Sequence, residues 1–246
     1  MAKKIYISPS SQPANTYAVG NTNEQEQCRK IGAKLDAALK RCGFDSKVGL
    51  DGTMYTRVKE SNNFGADAHS PVHTNAFNGK VAGTRIIISK RGGEAEELAK
   101  AILAELGPIT PGESDNISVN NGLYEIYATT AICVYIEVGF HDEPEEAQWL
   151  INYGDEAAEA ICRGYCNHYG VKYIPSDSAA TPEEKPAEKP AETVPAQKPA
   201  TNEMLYRVFD AADKQVGAYA VEANAFNAVR RELKDGGAAR ITYTAK

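Results

Sequence analysis

The sequence predicts an α/β fold, with a mainly parallel, twisted sheet flanked by helices, followed by a small C-terminal β-β-α-β module. Two observations support this prediction. From residue 1 to residue 173, short β-rich runs alternate with segments of helical periodicity, a pattern typical of parallel sheets with helical crossovers. A proline-rich stretch then separates this region from a shorter set of β and helical patterns that begins at residue 204.

The first region contains five predicted strands and four predicted helices. The strands are expected at Lys4–Ser8, Ser46–Gly49, Ala66–Val72, Arg85–Ser89 and Cys133–Val138. The helices are expected at Asn23–Arg41, Met54–Asn63, Gly93–Glu105 and Pro144–Tyr169. The first helix is the best defined, because Thr22 or Asn23 is a natural N-cap, its apolar residues recur every three or four positions, and Gly43 follows its end.

The predicted linker spans residues 174–203 and contains half of the 12 prolines of the chain. A segment rich in Pro, Ala, Glu and Lys buries too little apolar surface to offset its ordering entropy, and repeated proline favours an extended polyproline II conformation. We therefore divide the chain into a domain at 1–173, a linker at 174–203 and a module at 204–246.

The C-terminal module is predicted to contain three strands and one helix. The strands are expected at Leu205–Asp210, Gln215–Tyr219 and Arg240–Thr244, with a turn at Asp213-Lys214. The helix is expected at Ala223–Leu233, ended by two glycines. The module has a small excess of Lys and Arg over Asp and Glu, whereas the two parts before it are net acidic.

Composition excludes several classes of function. The net charge is −6, so the chain lacks the basic excess expected of a nucleic-acid-binding protein. No apolar run approaches the ~20 residues of a membrane span, and the N-terminus runs into the first strand without a signal-peptide pattern, so we expect synthesis in the cytoplasm. The five cysteines form no Cys-x-x-Cys pair and are expected to be reduced core residues. The oligomeric state stays open.

Two residues of the first region suggest a metal or an acid/base site. His73 lies at the end of a β-rich run, where α/β sheets commonly bind ligands, although a hydrogen-bonded structural histidine would fit the same position. Glu137 lies inside an apolar strand, where a carboxylate costs several kcal/mol unless it is paired or bound to a metal.

Two further acids allow more than one interpretation. Glu24 opens the first helix, a position that the helix macrodipole favours for any acidic residue. Glu125 lies in another apolar run, where it either faces a substrate groove or forms a structural salt bridge.

Together these segments resemble the zinc-dependent N-acetylmuramoyl-L-alanine amidases, the cell-wall hydrolases of bacteria and phage endolysins. The resemblance covers nearly all of residues 4–170 and rests on four stretches in the family's order, Ile5-Tyr6-Ile7-Ser8-Pro9, Asn23-Glu24, Val72-His73-Thr74-Asn75-Ala76 and Val134-Tyr135-Ile136-Glu137-Val138-Gly139-Phe140. It implies a phosphorylase/hydrolase-like sheet, one catalytic Zn²⁺ bound by Glu24 and His73, and Glu137 as catalytic acid/base. The implied reaction is hydrolysis of the amide between N-acetylmuramic acid and L-alanine of the stem peptide.

The sequence departs from the family's pattern at one metal ligand. Ser11 stands where the family has its first zinc histidine, and catalytic zinc normally has three protein ligands. We expect Gln12 to be the third ligand, with His69 and His141 as alternatives, and we expect Asn75 and Glu125 to contact substrate. The competing hypothesis is a degenerate amidase fold that binds peptidoglycan without hydrolysing it.

The resemblance also implies a partner and a place of action. We expect the chain to bind muramyl peptides of peptidoglycan at the bacterial cell wall, as a phage endolysin or prophage product. The module at 204–246 is expected to bind the wall.

Overall fold

The structure is a computed structural model that describes residues 2–176, 204–209, 215–219 and 240–245. The chain divides into two units, Met1–Ala179 and Ala180–Lys246, which are described separately below. No helix in these described segments is long and apolar enough to cross a membrane.

A seven-stranded sheet forms the centre of the first unit. Its strands are β1 (Lys4–Pro9), β2 (Asp45–Val48), β3 (Ala68–Asn75), β4 (Arg85–Ile88), β5 (Asn116–Val119), β6 (Ile132–Cys133) and β7 (Tyr135–Phe140). The strand order is β2-β1-β3-β7-β4-β5, and β6 pairs with β3. All of these pairs are parallel except β4 with β7, which confirms the prediction of a mainly parallel sheet.

Six α-helices accompany this sheet. They are α1 (Glu24–Arg41), α2 (Met54–Phe64), α3 (Glu94–Leu106), α4 (Tyr124–Tyr127), α5 (Pro144–Asn152) and α6 (Gly154–Tyr169), and a short 3-10 helix (Gly107–Ile109) follows α3. The predicted start of α1 is confirmed, because the Asn23 side chain accepts a hydrogen bond of 3.0 Å from the backbone N–H of Glu26.

Helix α6 packs against both α1 and α3. The apolar residues of these helices and of the central strands are buried in one hydrophobic core. Helices α3 and α6 approach so closely at Gly164 that a Cβ there would lie 2.5 Å from Cα of Ile102. The core therefore holds α1 in place. This packing also positions Glu24, the first residue of α1, in the candidate active site.

Two local predictions were wrong, and two short elements were missed. The helix expected at Pro144–Tyr169 is two helices, because Tyr153 leaves the helical conformation (φ −126°, ψ 24°) beside Gly154, a poor helix former. The strand expected at Cys133–Val138 is divided between β6 and β7. Strand β5 and helix α4, each of four residues, were not predicted, because segments this short show no clear periodicity.

The second unit contains a three-stranded antiparallel sheet. Its strands are β8 (Met204–Phe209), β9 (Gln215–Tyr219) and β10 (Arg240–Ala245), in the order β10-β8-β9. These agree with the three predicted strands to within one residue. The predicted helix at Ala223–Leu233 and residues 177–203 of the predicted linker lie outside the described residues.

Candidate active site

The candidate active site lies where β1, β3 and β7 end. His73 of β3 and Glu137 of β7 are register partners in a parallel pair, so their side chains leave the same face of the sheet. The register shifts between His73 and Asn75, where β3 approaches its end. Sheet topology thus brings together two residues that are far apart in sequence.

Glu24 and His73 form a buried pair at this site. The Nδ1 atom of His73 lies 2.8 Å from Oε1 of Glu24, and the two residues are only 8% and 1% exposed, respectively. Burial by itself would raise the pKa of Glu24, but hydrogen bonds from His73, Asn15 and Ser10 outweigh it, and the pKa is lowered. The Glu24 carboxylate is therefore ionised at neutral pH.

Gln12 reaches the same pair from the loop that follows β1. Its amide nitrogen lies 3.4 Å from His73 Nδ1, while its amide oxygen accepts a hydrogen bond of 3.2 Å from Asn15. The Asn15 amide also donates to Oε2 of Glu24 over 2.6 Å. The structure therefore brings Gln12, Glu24 and His73 together, and a rotation of the Gln12 amide would turn its oxygen toward His73.

Glu137 has an unusual environment for a carboxylate. Its Oε2 atom is shielded from solvent and has no hydrogen-bond partner among the described residues. Burial raises its pKa to about 7, the nearby charge of His73 opposes this shift, and the charge of Glu24 adds to it. A carboxylate with one unpartnered oxygen and a pKa near neutrality is suited to accept and release a proton.

The two alternative histidines lie apart from the pair of Glu24 and His73. His69 is fully buried, stacks on Tyr6 and places its Nε2 atom 3.2 Å from Glu125. His141 stacks on Tyr17 and places its Nδ1 atom 2.9 Å from the hydroxyl of Thr74. Within the described part of the chain, neither belongs to a group of three potential metal ligands with Glu24 and His73.

The two predicted substrate residues differ in position. Glu125 of α4 lines a cavity together with His73, and its carboxylate accepts hydrogen bonds from Ser8 (2.5 Å) and His69. Burial alone would raise the pKa of Glu125, but these bonds lower it. Asn75 does not line this cavity, and its side chain accepts a hydrogen bond from the backbone N–H of the next residue.

The cavity beside His73 has a volume of about 610 Å³, within the usual range for ligand pockets. Its walls come from the loop after β1, from the start of α2 and the residues before it, from the start of α4, and from β3 and β7. Tyr55 and Tyr124 meet edge to face within it, with ring centroids 4.4 Å apart. Its lining includes Ser11, Gln12, Tyr55, Arg57, His73, Tyr124, Glu125 and Tyr135.

The donor atoms at the site test whether a zinc ion fits. A zinc site usually needs three His, Cys, Asp or Glu side chains whose ligand atoms lie close together. Among the described residues, one such group has all its ligand atoms within 4.8 Å of one another, and it consists of Cys42, Cys162 and Cys166, outside the candidate active site. The candidate site therefore offers two usual zinc ligands, Glu24 and His73, and the Gln12 amide as a weaker third. The unpartnered Oε2 atom of Glu137 belongs to the register partner of His73, and the donor set of Glu24, His73 and Gln12 suits a Zn²⁺ ion.

Two residues of the site were missed in the sequence. Tyr135 stacks on His73 with ring centroids 4.6 Å apart. It lies two positions before Glu137 in the same strand, so period-two alternation places both on one face and would have identified it. Asn15, which connects Gln12 and Glu24, gives no such signal, because its contact depends on the path of the loop after β1.

Comparisons with known proteins identify the family and the fold of the first unit. A model of the Amidase_3 family, described as N-acetylmuramoyl-L-alanine amidase, matches residues 5–167. No curated protein matches the chain significantly.

Several solved structures share the fold at low sequence identity. The catalytic domain of the amidase CwlV from Bacillus (Paenibacillus) polymyxa var. colistinus is 19% identical, with a TM-score of 0.62 over 69% of this chain and 99% of that chain. The amidase AmiC2 of Nostoc punctiforme is 19% identical, with a TM-score of 0.60 over 68% and 97%. The catalytic domain of the CD27L endolysin, which targets Clostridia difficile, is 20% identical, with a TM-score of 0.59 over 67% and 97%.

Proposed function

The chain belongs to the Amidase_3 family of N-acetylmuramoyl-L-alanine amidases, and from this premise we propose that Glu137 transfers the proton in a zinc-assisted hydrolysis at the site of Glu24 and His73. The protein is a hydrolase of peptidoglycan, and its family acts on the amide between N-acetylmuramic acid and L-alanine. The roles of the individual residues are the proposal.

The environment of Glu137 is the main support for its role. A general base must be ionised before it accepts a proton and must hold that proton long enough to release it, so a pKa near the working pH is optimal. Burial raises the pKa of Glu137 to about 7, and no described residue forms a hydrogen bond with its Oε2 atom. We propose that Oε2 takes a proton from the attacking water and delivers it to the leaving nitrogen of L-alanine as the C–N bond breaks.

We propose that Glu24, His73 and Gln12 hold one Zn²⁺. Bound zinc supplies a Lewis acid that polarises the scissile carbonyl and lowers the pKa of a water molecule. The Asn15 amide holds the Glu24 carboxylate in place, and Tyr135 stacks on the His73 ring. Such neighbours fix the orientation of ligand side chains, as residues around metal sites commonly do.

The cavity beside His73 is the proposed binding place for the muramyl peptide. Tyr55 and Tyr124 offer aromatic faces and edges for apolar parts of the ligand. Glu125 offers a carboxylate whose lowered pKa keeps it charged at neutral pH. Asn75, at the end of β3, would contact the substrate from outside the cavity.

We further propose that the protein acts at the bacterial cell wall as a product of a phage or prophage, after synthesis in the cytoplasm. The family's substrate and the similarity to the catalytic domain of an endolysin support this proposal. The module at 204–246 is proposed to bind the wall.

The substitution Glu137→Gln tests the proposed mechanism. The variant keeps the shape of the side chain but has no carboxylate, so we expect a loss of about 10²–10⁴-fold in the rate of muramyl-peptide hydrolysis, the usual contribution of a general acid/base. Its zinc content should equal that of the wild type, and its melting temperature should not fall, because the change removes a carboxyl group whose ionisation burial disfavours.

A matched control is Glu105→Gln. Glu105 of α3 pairs with Arg163 of α6, away from the candidate active site. The substitution should leave the rate unchanged. Near-normal turnover of Glu137→Gln would assign the proton transfer to another residue. A wild-type protein that binds peptidoglycan but shows no turnover with zinc present would instead favour the degenerate, non-hydrolysing fold.

A further inference from the structure

Three buried cysteines meet where the end of α1 contacts α6. Cys42 caps the C-terminus of α1, and Cys162 and Cys166 lie one turn apart on α6. Their side chains are almost fully buried, with 6%, 0% and 1% exposure. All three sulfur atoms lie within 4.8 Å of one another. We call these residues the thiol cluster.

The spacing of the sulfur atoms suits a metal ion. Two Zn–S bonds of about 2.3 Å at a tetrahedral angle place their sulfur atoms about 3.8 Å apart. The Sγ atoms of Cys162 and Cys42 are 3.8 Å apart. The carbonyl oxygen of Ile174 lies 3.8 Å from Cys42 Sγ and offers a fourth donor beside the three sulfurs.

The backbone beside the thiol cluster can support a sulfur ligand. The backbone N–H of Ile174 donates a hydrogen bond to Cys42 Sγ over 3.3 Å, and hydrogen bonds of this kind stabilise sulfur ligands in metal sites. Three thiolates and one Zn²⁺ leave a single negative charge. The Arg41 guanidinium lies nearby, where it pairs with Glu159 over 2.6 Å and its Nε atom donates to the Ile174 carbonyl over 2.7 Å.

The thiol cluster is remote from the candidate active site. Glu24 and Cys42 lie at opposite ends of α1, whose 18 residues span roughly 26 Å at 1.5 Å per residue. A metal in the thiol cluster therefore takes no part in the hydrolysis. It would instead connect α1, α6 and the segment that ends the first unit.

We propose that Cys42, Cys162 and Cys166 form a structural site for a thiophilic metal ion such as Zn²⁺, with the carbonyl oxygen of Ile174 as the fourth ligand. Thiolate ligands select soft or borderline ions such as Zn²⁺ and Cu⁺ over Mg²⁺ and Ca²⁺. Binding releases the thiol protons to solvent and ties together three parts of the fold.

The proposal is tested with the full chain that contains His73→Ala, because this change removes a proposed ligand of the candidate active site. The reduced protein is titrated with Cd²⁺, and the ultraviolet charge-transfer absorbance of Cd²⁺-thiolate bonds is measured. We expect saturation at one ion per chain. Replacing Cys42 or Cys166 by alanine should reduce this absorbance and weaken binding by about 10–100-fold or more.

Cys133→Ala is the matched control, because Cys133 is also buried and free but lies outside the thiol cluster. It should leave the titration unchanged. The proposal is overturned if the reduced parent shows no thiolate absorbance, or if the Cys42 and Cys166 variants titrate like the parent.

A second measurement does not depend on the folding of the cysteine variants. X-ray absorption of the zinc-loaded His73→Ala chain should show three sulfur ligands at about 2.3 Å. A zinc shell of nitrogen and oxygen ligands alone would contradict the site. A disulfide between two of these cysteines, together with a reduced protein that takes up no Cd²⁺, would indicate a redox pair in place of a metal site.

Discussion

At the scale of single residues, Glu137 and Glu146 differ in what surrounds the same chemical group. Burial raises the pKa of both carboxyl groups to about 7. The Glu146 oxygens accept hydrogen bonds from the backbone N–H groups of Gly83 (2.9 and 3.0 Å) and Phe140 (2.7 Å), whereas Oε2 of Glu137 has no partner in the described part of the chain. Glu146 therefore has the environment of a structural residue, and Glu137 that of a reactive one.

The stability of the first unit should fall with rising pH because of Glu146. Its pKa is raised from 4.5 to about 7 on folding, so between these values the unfolded chain loses a proton that the folded chain retains. The free energy of unfolding should therefore decrease as pH rises from about 4.5 to about 7, by about 1–3 kcal/mol for this group.

Urea unfolding of the wild type and of Glu146→Gln at several pH values measures this effect. The variant should lose this part of the pH dependence and be less stable at low pH, because an amide NH₂ group replaces one of the two oxygens that accept from the Gly83 N–H. The exposed neighbour Glu145→Gln is the control and should keep the wild-type profile. An unchanged pH dependence in Glu146→Gln would contradict the assignment.

The departure from the family's ligand pattern predicts that one substitution should increase the affinity for zinc. Ser11 is exposed, lines the cavity and stands where the resemblance places a zinc histidine. Ser11→His should raise zinc affinity by roughly tenfold or more, equivalent to about 1.4 kcal/mol, because imidazole is a better zinc ligand than the Gln12 amide. Competition with a chelator measures the affinity.

Gln12→Ala in the same assay should weaken zinc binding if the amide is the third ligand. Ser11→Ala is the matched control and should bind zinc as the wild type does. Should Gln12→Ala, His69→Ala and His141→Ala all bind zinc normally, water or substrate must complete the coordination shell.

At the scale of secondary-structure elements, the contact between α3 and α6 depends on a glycine. A Cβ at Gly164 would lie 2.5 Å from Cα and 2.8 Å from N of Ile102, which are backbone atoms that cannot rotate away. Gly164→Ala should therefore destabilise the unit by about 1–3 kcal/mol, although alanine has the higher helix propensity.

Thermal unfolding of Gly164→Ala measures this cost. Gly93→Ser is the control, because a side chain at the N-cap of α3 meets open space and can cap the helix. It should be neutral or slightly stabilising. A Gly164→Ala protein as stable as the wild type would show that α3 and α6 separate at little cost.

The same elements show how far the sequence predicts the fold. Long helices with caps, such as α1, and apolar strands, such as β1, were predicted almost to their ends, because periodicity and capping are local signals. The break between α5 and α6 at Tyr153 was missed because the helical periodicity of the sequence continues through it. Strand β5 was missed because its four residues are too few to show a periodicity.

At the scale of the whole first unit, sheet topology assembles the candidate site. The motifs around Glu24, His73 and Glu137 were found in the sequence because the resemblance orders them along the chain. The 2.8 Å contact of Glu24 with His73 and the approach of Gln12 depend on how α1 and the loop after β1 meet β3, which no local pattern encodes. The roles of these residues as ligands and acid/base stay predictions.

The end of the first unit lies beyond the boundary that composition suggests. The predicted domain ends at residue 173, yet the backbone N–H of Ile174 donates to Cys42 and its carbonyl accepts a hydrogen bond of 2.7 Å from Nε of Arg41. Ile174 also packs against the hydrophobic core. A truncation that preserves the first unit should therefore follow Ser176 and not Tyr173.

The chain truncated after Ser176 should keep the catalytic rate on small soluble muramyl peptides and lose affinity for whole cell walls. The first unit contains every residue of the candidate site, whereas the module at 204–246 is the only net basic part and would attract anionic wall polymers. Because salt screens this attraction, wall binding of the full chain should weaken as ionic strength rises.

Sedimentation with purified walls measures binding, and zinc content with circular dichroism checks the fold. Equal wall binding by both proteins would assign recognition to the first unit, and loss of zinc or of the fold on truncation would make the module structural.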